Sequence, residues 1–160
     1  MATTPKTFSS AGTTFSIASG APATFDAVGF AAQTFDVIGK VKNGGEFGKQ
    51  FEVISNNYLS QRGTEKRKGT WNAGTLSLTV DVNGDDGQVA CESALDSDAD
   101  YTFRVVLKNG DTHYMRGIVT GFRMTIGGPD DMTSAAIGLE LSPVFLAGGT
   151  EVASVKVPAP

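Results

Sequence analysis

The sequence is poor in the residues that most often carry chemistry. Its 160 residues include one Cys, one His and one Trp. The single cysteine, Cys91, excludes a disulfide within the chain and fits folding in a reducing compartment. His113 lies far from Cys91 in sequence, and no third residue can be named that would orient them as a nucleophile–base pair. The sequence therefore makes no positive case for an enzyme, and no cofactor is predicted.

Long apolar runs and an excess of basic residues are also missing. No stretch approaches the roughly 18 apolar residues that span a bilayer. The segment from Met1 to Lys6 has no apolar run behind its lysine, so we predict neither a signal peptide nor membrane contact. The net charge is −4 and the isoelectric point is near 4.9. This balance argues against a protein that wraps nucleic acid tightly, because binding phosphates requires cations.

Glycine, phenylalanine and short alternating apolar runs are abundant instead. Twenty Gly and ten Phe indicate many turns around a real core, and the length fits one compact domain. Asn109-Gly110 predicts a two-residue hairpin turn with a positive φ at both residues, which would place Lys108 opposite Asp111. Gly39 is a candidate bulge. Alternation predicts strands over residues 35–42, 50–55, 75–81, 101–108, 113–126 and 133–141.

One helix is predicted, over about residues 86–95. Asp85 can cap it, and Gln88 can reach back to complete a capping box. Cys91 belongs to its narrow apolar stripe and should face the sheet. The segment from Asp81 to Glu92 also nearly matches a calcium-binding EF-hand loop. The sixth position, where that loop needs Gly, is Asp86, so a strand–turn–helix junction is the better interpretation and no metal site is predicted.

Three further segments complete the outline. Residues 1–23 are rich in Thr, Ser, Ala and Gly, and predict an N-terminal arm with little core of its own. Residues 24–30 and 34–40 are near-repeats, which predicts two similar edge or turn segments. Residues 144–160 predict a C-terminal tail in which 152–157 adds a strand only if something pairs with it. The sum is a mainly β fold: a small antiparallel β-barrel or sandwich over residues 24–143, with one flanking helix, a long loop over 56–71 and extended arms.

The one basic stretch of this acidic chain lies in that loop. Residues 61–69 carry a net charge of +3 while the whole chain is −4, so the rest carries −7. The loop could grip nucleic acid, could be solvated without a role, or could reach an acidic neighbouring copy of the chain. Asp81 to Asp100 hold seven acidic residues and no basic one. This block, and the lack of stacking aromatics beyond Tyr58, favour contact between copies.

Several segments, in their order, resemble the tail tube proteins (major tail proteins) of long-tailed, siphovirus-type bacteriophages. The resemblance covers about residues 22–143. It rests on the segments PATFDAVGF (22–30), TFDVIGKV (34–41), EFGK (46–49), QRGTEKRKG (61–69), GTLSL (74–78), DDGQ (85–88), GIVTGF (117–122) and the strand over 133–141, with Gly127-Gly128 at the preceding turn.

The resemblance implies a barrel-like fold shared with type VI secretion tube proteins, six copies to a ring, and rings stacked into a hollow tube that conducts double-stranded DNA. It implies a virion location, host cytoplasm during assembly, and as partners the chain itself with tail terminator, tape-measure and baseplate or tip proteins. Two alternatives stay open: a ring-forming tube protein of a secretion or contractile injection system, and a monomeric ligand-binding β-barrel.

Three sets of residues are candidate sites under this interpretation. A DNA conduit should repel phosphate, so its lining should be anionic or small and polar. The predicted contact loop between rings comprises Asn56, Asn57, Tyr58, Leu59, Arg62, Lys66, Arg67 and Lys68. The predicted acidic partner surface comprises Asp85, Asp86, Glu92, Asp96 and Asp98. The predicted lumen lining comprises Thr75, Ser77, Thr79, Asp81, Ser134 and Glu140.

Overall fold

The computed structural model describes residues 6–160, and most of its regular structure is antiparallel β-sheet. The predicted mainly β fold is confirmed, but there are two helices where one was predicted. The helices are α1 Ala27–Ala31 and α2 Asp86–Ala94. The strands are β1 Thr14–Ala18, β2 Asp36–Ile38, β3 Val41–Asn43, β4 Gln50–Asn56, β5 Glu65–Asn72, β6 Thr75–Asp81, β7 Tyr101–Val106, β8 Thr112–Thr125, β9 Ser134–Ser142, β10 Val144–Phe145, β11 Glu151–Val152 and β12 Val155–Val157.

Alternating side chains build the core, as the sequence predicted. In β6, Leu76, Leu78 and Val80 are at most 1% exposed. The odd-numbered residues of β9 from Ala135 to Leu141 are buried against them. The two strands pair along their length, from Thr75 opposite Glu140 onwards. Because successive side chains point to opposite faces, one face of this strand pair fills the barrel and the other is polar and open.

The main sheet closes into a barrel. Its strand order is β2-β1-β7-β8-β9-β6-β3, with β12 added beside β8. β2 and β3 stand at the two edges of this order, yet only Gly39 and Lys40 separate them in sequence, so the sheet curls until its edges meet. The prediction of one bulged strand over residues 35–42 is therefore wrong. The segment splits at a turn, where Lys40 has a φ of 56°, and its halves pair with β1 and β6.

Helix α2 stabilises the closed barrel. Its N-cap, Asp85, accepts a hydrogen bond from the Gln88 backbone N–H at 2.8 Å. The predicted return bond from Gln88 does not form. Its side chain is 2% exposed; Oε1 accepts from Asn83 N at 3.1 Å, and Nε2 donates to the carbonyls of Gly39 and Asp81 at 3.1 and 2.9 Å. One buried amide thus ties the end of β6 to the turn that joins the two barrel edges.

A second apolar cluster covers the outer face of β8. Phe30 of α1 stacks on Tyr114 with ring centroids 5.6 Å apart, and Val144 joins them. β12 pairs with β8, with Val155 opposite Tyr114. The prediction that residues 144–160 form a tail is therefore corrected: they contribute β10, β11 and β12 and pack on the barrel.

The N-terminal prediction is also corrected, because β1 is a central strand. It pairs with both β2 and β7, and Phe15 and Ile17 belong to the main core. Residues 1–5 lie outside the described residues. The near-repeats fold differently: the first contains helix α1, capped by the Asp26 side chain, and the second contains β2.

The β7–β8 connection differs from its prediction as well. Of Asn109 and Gly110, only Gly110 has a positive φ, of 92°. The connecting turn spans residues 107–111, a longer type in which one Gly takes the left-handed position. Asp111 is not opposite Lys108 as predicted; it forms a salt bridge with Lys156 of β12 at 3.2 Å.

Candidate assembly surfaces

The predicted long loop is largely a second, separate β-sheet. Residues 56–71 were predicted to be a loop after a strand over 50–55, but β4 and β5 form an antiparallel hairpin, with Ile54 opposite Arg67 and Asn56 opposite Glu65. Only residues 57–64 form the tip, where Thr64 donates a hydrogen bond to the Asn57 side chain at 2.7 Å. The strands pair with each other and with no other strand of residues 6–160, and at the base of the hairpin Trp71 packs against the main core.

The hairpin leaves apolar side chains in solvent. All seven residues of β4 are exposed, including Val53 at 61% and Ile54 at 51%. At the tip, Tyr58 is half exposed and Leu59 fully exposed. An isolated two-stranded hairpin is only marginally stable in water. A hairpin with this much uncovered apolar surface is typical of a segment that another molecule covers.

The basic side chains of the hairpin are also exposed to solvent. Arg62, Lys66, Arg67 and Lys68 are all exposed. The salt bridges within residues 6–160 are Lys42–Asp81 and Lys156–Asp111, so no hairpin cation is paired inside its own chain in this part of the structure. At the base, Lys68 lies 5.1 Å from the ring centroid of Phe51, and Lys49 lies 4.2 Å from that of Trp71. These cation–π contacts hold the base and leave the tip charges available.

The predicted acidic surface divides into two kinds of residue. Asp85 is partly buried, and besides capping α2 it accepts a hydrogen bond from Gly39 N at 2.7 Å, so it is a structural carboxylate. Asp86, Glu92, Asp96 and Asp98 are exposed along and beyond α2. These four remain candidates for an electrostatic partner surface.

The six predicted lumen residues share one continuous face of β6 and β9. Directly paired residues project to the same side of a sheet. Thr75 donates to Glu140 at 2.9 Å. The face continues onto β8, where exposed Arg123 lies opposite Ala136. Arg123 was not among the lumen residues predicted from the sequence. The paired positions on β6 and β9 are Thr75–Glu140, Ser77–Gly138, Thr79–Ala136 and Asp81–Ser134.

The hairpin and the start of the acidic surface lie at opposite ends of the same strand pair. The hairpin is joined to β6 through Ala73 and Gly74, beside the end of β9, where Leu141 N donates to Gly74 O at 3.0 Å. Asp85 and Asp86 follow the other end of β6. Seven residues of strand separate the ends by about 20 Å, so the hairpin joins the strand pair at one end and the acidic segment begins at the other.

The remaining chemical candidates have structural surroundings. Asp81 of the calcium-like segment pairs with Lys42 at 2.7 Å, and within residues 6–160 no cluster of three metal-ligating side chains is present. Cys91 is fully buried in α2, and burial, with a contribution from Asp85, raises the pKa of its thiol to about 12. Burial, reinforced by Lys156, lowers the pKa of His113 on β8, while Asp111 opposes the shift. Neither α1 nor α2 is long enough to cross a membrane.

Solved structures with a similar fold come from phage tails and related particles. A chain of the SPP1 tail tube aligns with a TM-score of 0.59 and 14% identity, over 91% of this chain and 76% of its own. The chain has the tail-tube fold. A chain of the anti-feeding prophage baseplate, solved with sixfold symmetry, aligns with a TM-score of 0.64 and 10% identity, over 88% of this chain and 94% of its own.

The tail-tube fold recurs in a third kind of particle. A chain from the tail of an empty gene transfer agent, refined with helical and sixfold symmetry, has a TM-score of 0.58 and 12% identity, over 80% of this chain and 90% of its own. No protein-family model matches the sequence, and no curated protein matches it. The likeness therefore lies in the fold, and sequence identity adds little to it.

Proposed function

We propose that this chain is the structural subunit of a phage tail tube, assembling into stacked rings, six copies to a ring, around a conduit for double-stranded DNA. The observation that carries the proposal is the β4–β5 hairpin. It is basic, exposes apolar side chains at its tip, and joins the barrel at the end of the β6–β9 pair opposite to the start of the acidic segment.

This arrangement suits assembly from head to tail. When the two complementary surfaces lie at opposite ends of one molecule, each copy binds the next in the same orientation, and such contacts continue into rings or filaments. Opposite charges on the two surfaces speed their association and fix its register. Arg62, Lys66, Arg67 and Lys68 would meet the exposed acids of α2 on the next copy, and Leu59 would lose its contact with water.

The β6–β9 face is the proposed lining of the conduit. Its outward residues are small or polar, and its two acids, Asp81 and Glu140, are balanced by Arg123 and by Lys42, which pairs with Asp81. A surface without net positive charge does not hold phosphate strongly, so DNA can slide without specific binding. The proposed partners at the tube ends and inside it are the tail terminator, tape-measure and baseplate or tip proteins. The location is the virion, with assembly in the host cytoplasm.

A tube of a contractile injection system is a second candidate, favoured by the fold of the anti-feeding prophage chain. A subunit of that kind would bind a sheath on its outer surface, and added sheath protein would decorate its tubes. The barrel interior is filled by Leu76, Met115, Ile137 and Leu139, each fully buried. This filled interior argues against a monomeric ligand carrier. No enzymatic activity is part of either candidate function.

Shortening the hairpin tests the proposal. Replacing residues 57–64 by Asn-Gly keeps a turn between Asn56 and Glu65 and removes the tip. Electron microscopy of the intact protein at high concentration should show tubes, and the shortened protein should remain as single rings or monomers. Its far-ultraviolet circular dichroism should stay close to that of the intact chain.

A charge exchange supplies the control. Changing Lys66, Arg67 and Lys68 to Glu should block stacking, and changing Asp86, Glu92, Asp96 and Asp98 to Lys in the same chain should restore part of it. Tubes that form normally from the shortened protein would exclude the hairpin from the contact between rings. An intact chain that stays monomeric at all attainable concentrations would contradict the proposed function itself.

A further inference from the structure

Arg116 of β8 is a buried cation without a paired carboxylate. Its side chain is 8% exposed. Nη1 donates hydrogen bonds to Gly20 O at 2.6 Å and to Thr102 Oγ1 at 3.0 Å. Within residues 6–160 no acidic group lies at salt-bridge distance from it. Burial lowers the pKa of Arg116, and more distant Asp100 opposes this. A desolvated cation in this state favours the arrival of an anionic partner.

The same guanidinium lines a cavity of about 390 Å³ that opens to the surface. Phe25, Val144 and Phe145 also line it, and Asp100 is exposed at its edge. Phe25 and Phe145 are 37% and 60% exposed. A cavity lined mainly by apolar side chains, with a few polar groups that fix the orientation of a ligand, is typical of a binding site. A carboxylate flanked by apolar side chains would match it.

The β8–β9 turn of the chain itself, residues 126–133, has this chemistry. Ile126 is 82% exposed and Met132 is 75% exposed. Asp131 accepts a hydrogen bond from Gly128 N at 3.0 Å and so closes its own turn. This leaves the exposed Asp130 between two uncovered apolar side chains. Methionine also packs well against aromatic rings such as those in the cavity.

The turn cannot reach the cavity of its own chain. Arg116 is opposite Ser142 at one end of the β8–β9 pair, and Thr125 is opposite Ser134 at the other. Nine residues of strand place these ends about 30 Å apart. In a head-to-tail stack, however, the turn end of one β8–β9 pair would approach the Arg116 end of the next.

We propose that the Arg116 cavity binds the β8–β9 turn of a neighbouring copy, with the Asp130 carboxylate on the guanidinium and Met132 against Phe25 and Phe145. The contact rests on the proposed function, because it requires copies stacked end to end. It would act beside the hairpin as a second, independent joint of the same interface.

Cross-linking tests the contact without removing the groups that make it. Pro129 adjoins Asp130, and the exposed Pro143 lines the cavity, so P129C and P143C in one chain place two thiols across the proposed joint. Cys91 is fully buried and stays unreactive. Oxidation of assembled protein should give a ladder of dimers, trimers and longer chains on a non-reducing gel. Either single variant alone should give no ladder.

The charge on the turn gives a second readout. D130N should raise the concentration needed for tube formation by about tenfold, since it removes a charge-assisted hydrogen bond. D36N makes the same charge change at an exposed residue of β2 and should leave that concentration unchanged. D100N removes a competing carboxylate at the cavity edge and should lower it.

The outcomes separate the two proposals. Tubes that form but give no cross-linked ladder, or D130N acting no differently from D36N, would overturn this joint and leave the tube subunit intact. A ladder that stops at the number of chains in one ring would place the contact sideways and overturn the end-to-end arrangement. An intact chain that forms no tubes would overturn both proposals.

Discussion

The barrel and the β4–β5 hairpin are made of the same secondary structure but are stabilised in different ways. In the barrel, every second residue of β6 and β9 is buried within the chain. In the hairpin, β4 has no buried residue on either face. The barrel strands therefore carry the energy of folding. The hairpin leaves apolar and charged groups exposed, and under the proposed function a neighbouring copy covers them.

One matched pair of substitutions should separate the two regions most clearly. Ile137 in β9 is fully buried and Ile54 in β4 is 51% exposed. I137A should lower the free energy of unfolding by about 2–5 kcal/mol, because it leaves a cavity in the core. I54A should change it by no more than about 0.5 kcal/mol. Urea denaturation of the dilute protein measures both. Similar losses in the two variants would mean that the hairpin is part of the folding unit.

A smaller effect should appear where β12 is fastened to the barrel. Asp111 accepts hydrogen bonds from Ala159 N and Asn109 and pairs with Lys156, and these partners lower its pKa to about 2 from an ordinary value of 3.8. A depressed carboxyl pKa stabilises the folded state above the ordinary value, and this contribution is lost as the pH falls from about 4 to about 2.

D111N should therefore loosen the C-terminal strand at neutral pH. We expect faster proteolysis after β12 and a slightly lower urea midpoint at pH 6. At about pH 2 the variant and the parent should behave alike. D36N, which neutralises an exposed carboxylate on β2, serves as the control. A difference between D111N and the parent that is as large at about pH 2 as at pH 6 would exclude the carboxylate charge as the cause.

Local sequence predicted the parts of the fold that local forces decide. The alternation of β6 and β9 and the start of α2 at its Asp85 cap were all visible, because period-two burial and capping depend on near neighbours. The near-repeats show a case in which local sequence does not predict the structure. Asp26 caps a short helix while Asp36 begins a strand, because Phe30 packs on Tyr114 and the second segment pairs with β1. Tertiary contacts overrode the local similarity.

The candidate sites follow the same division. The hairpin tip and its cations were predicted from charge and turn residues. Strand β4 was predicted over residues 50–55, but β5 was not, because its exposed, largely polar residues lack the burial pattern by which strands are recognised. The Arg116 cavity was invisible, since Phe25, Arg116 and Phe145 are distant in sequence and meet only through the fold. The alternating Thr and Ser of β6 did signal the polar face.

Hydrogen exchange at the hairpin amides tests the central claim most directly. In dilute, unassembled protein, the amides of β4 and β5 should exchange far faster than those of β6, because nothing covers them. In assembled tubes, the hairpin amides should become strongly protected while those of β6 change little. Hairpin amides that are as slow as β6 in the isolated chain, or that remain fast inside tubes, would contradict the claim that the hairpin is completed by a neighbouring copy.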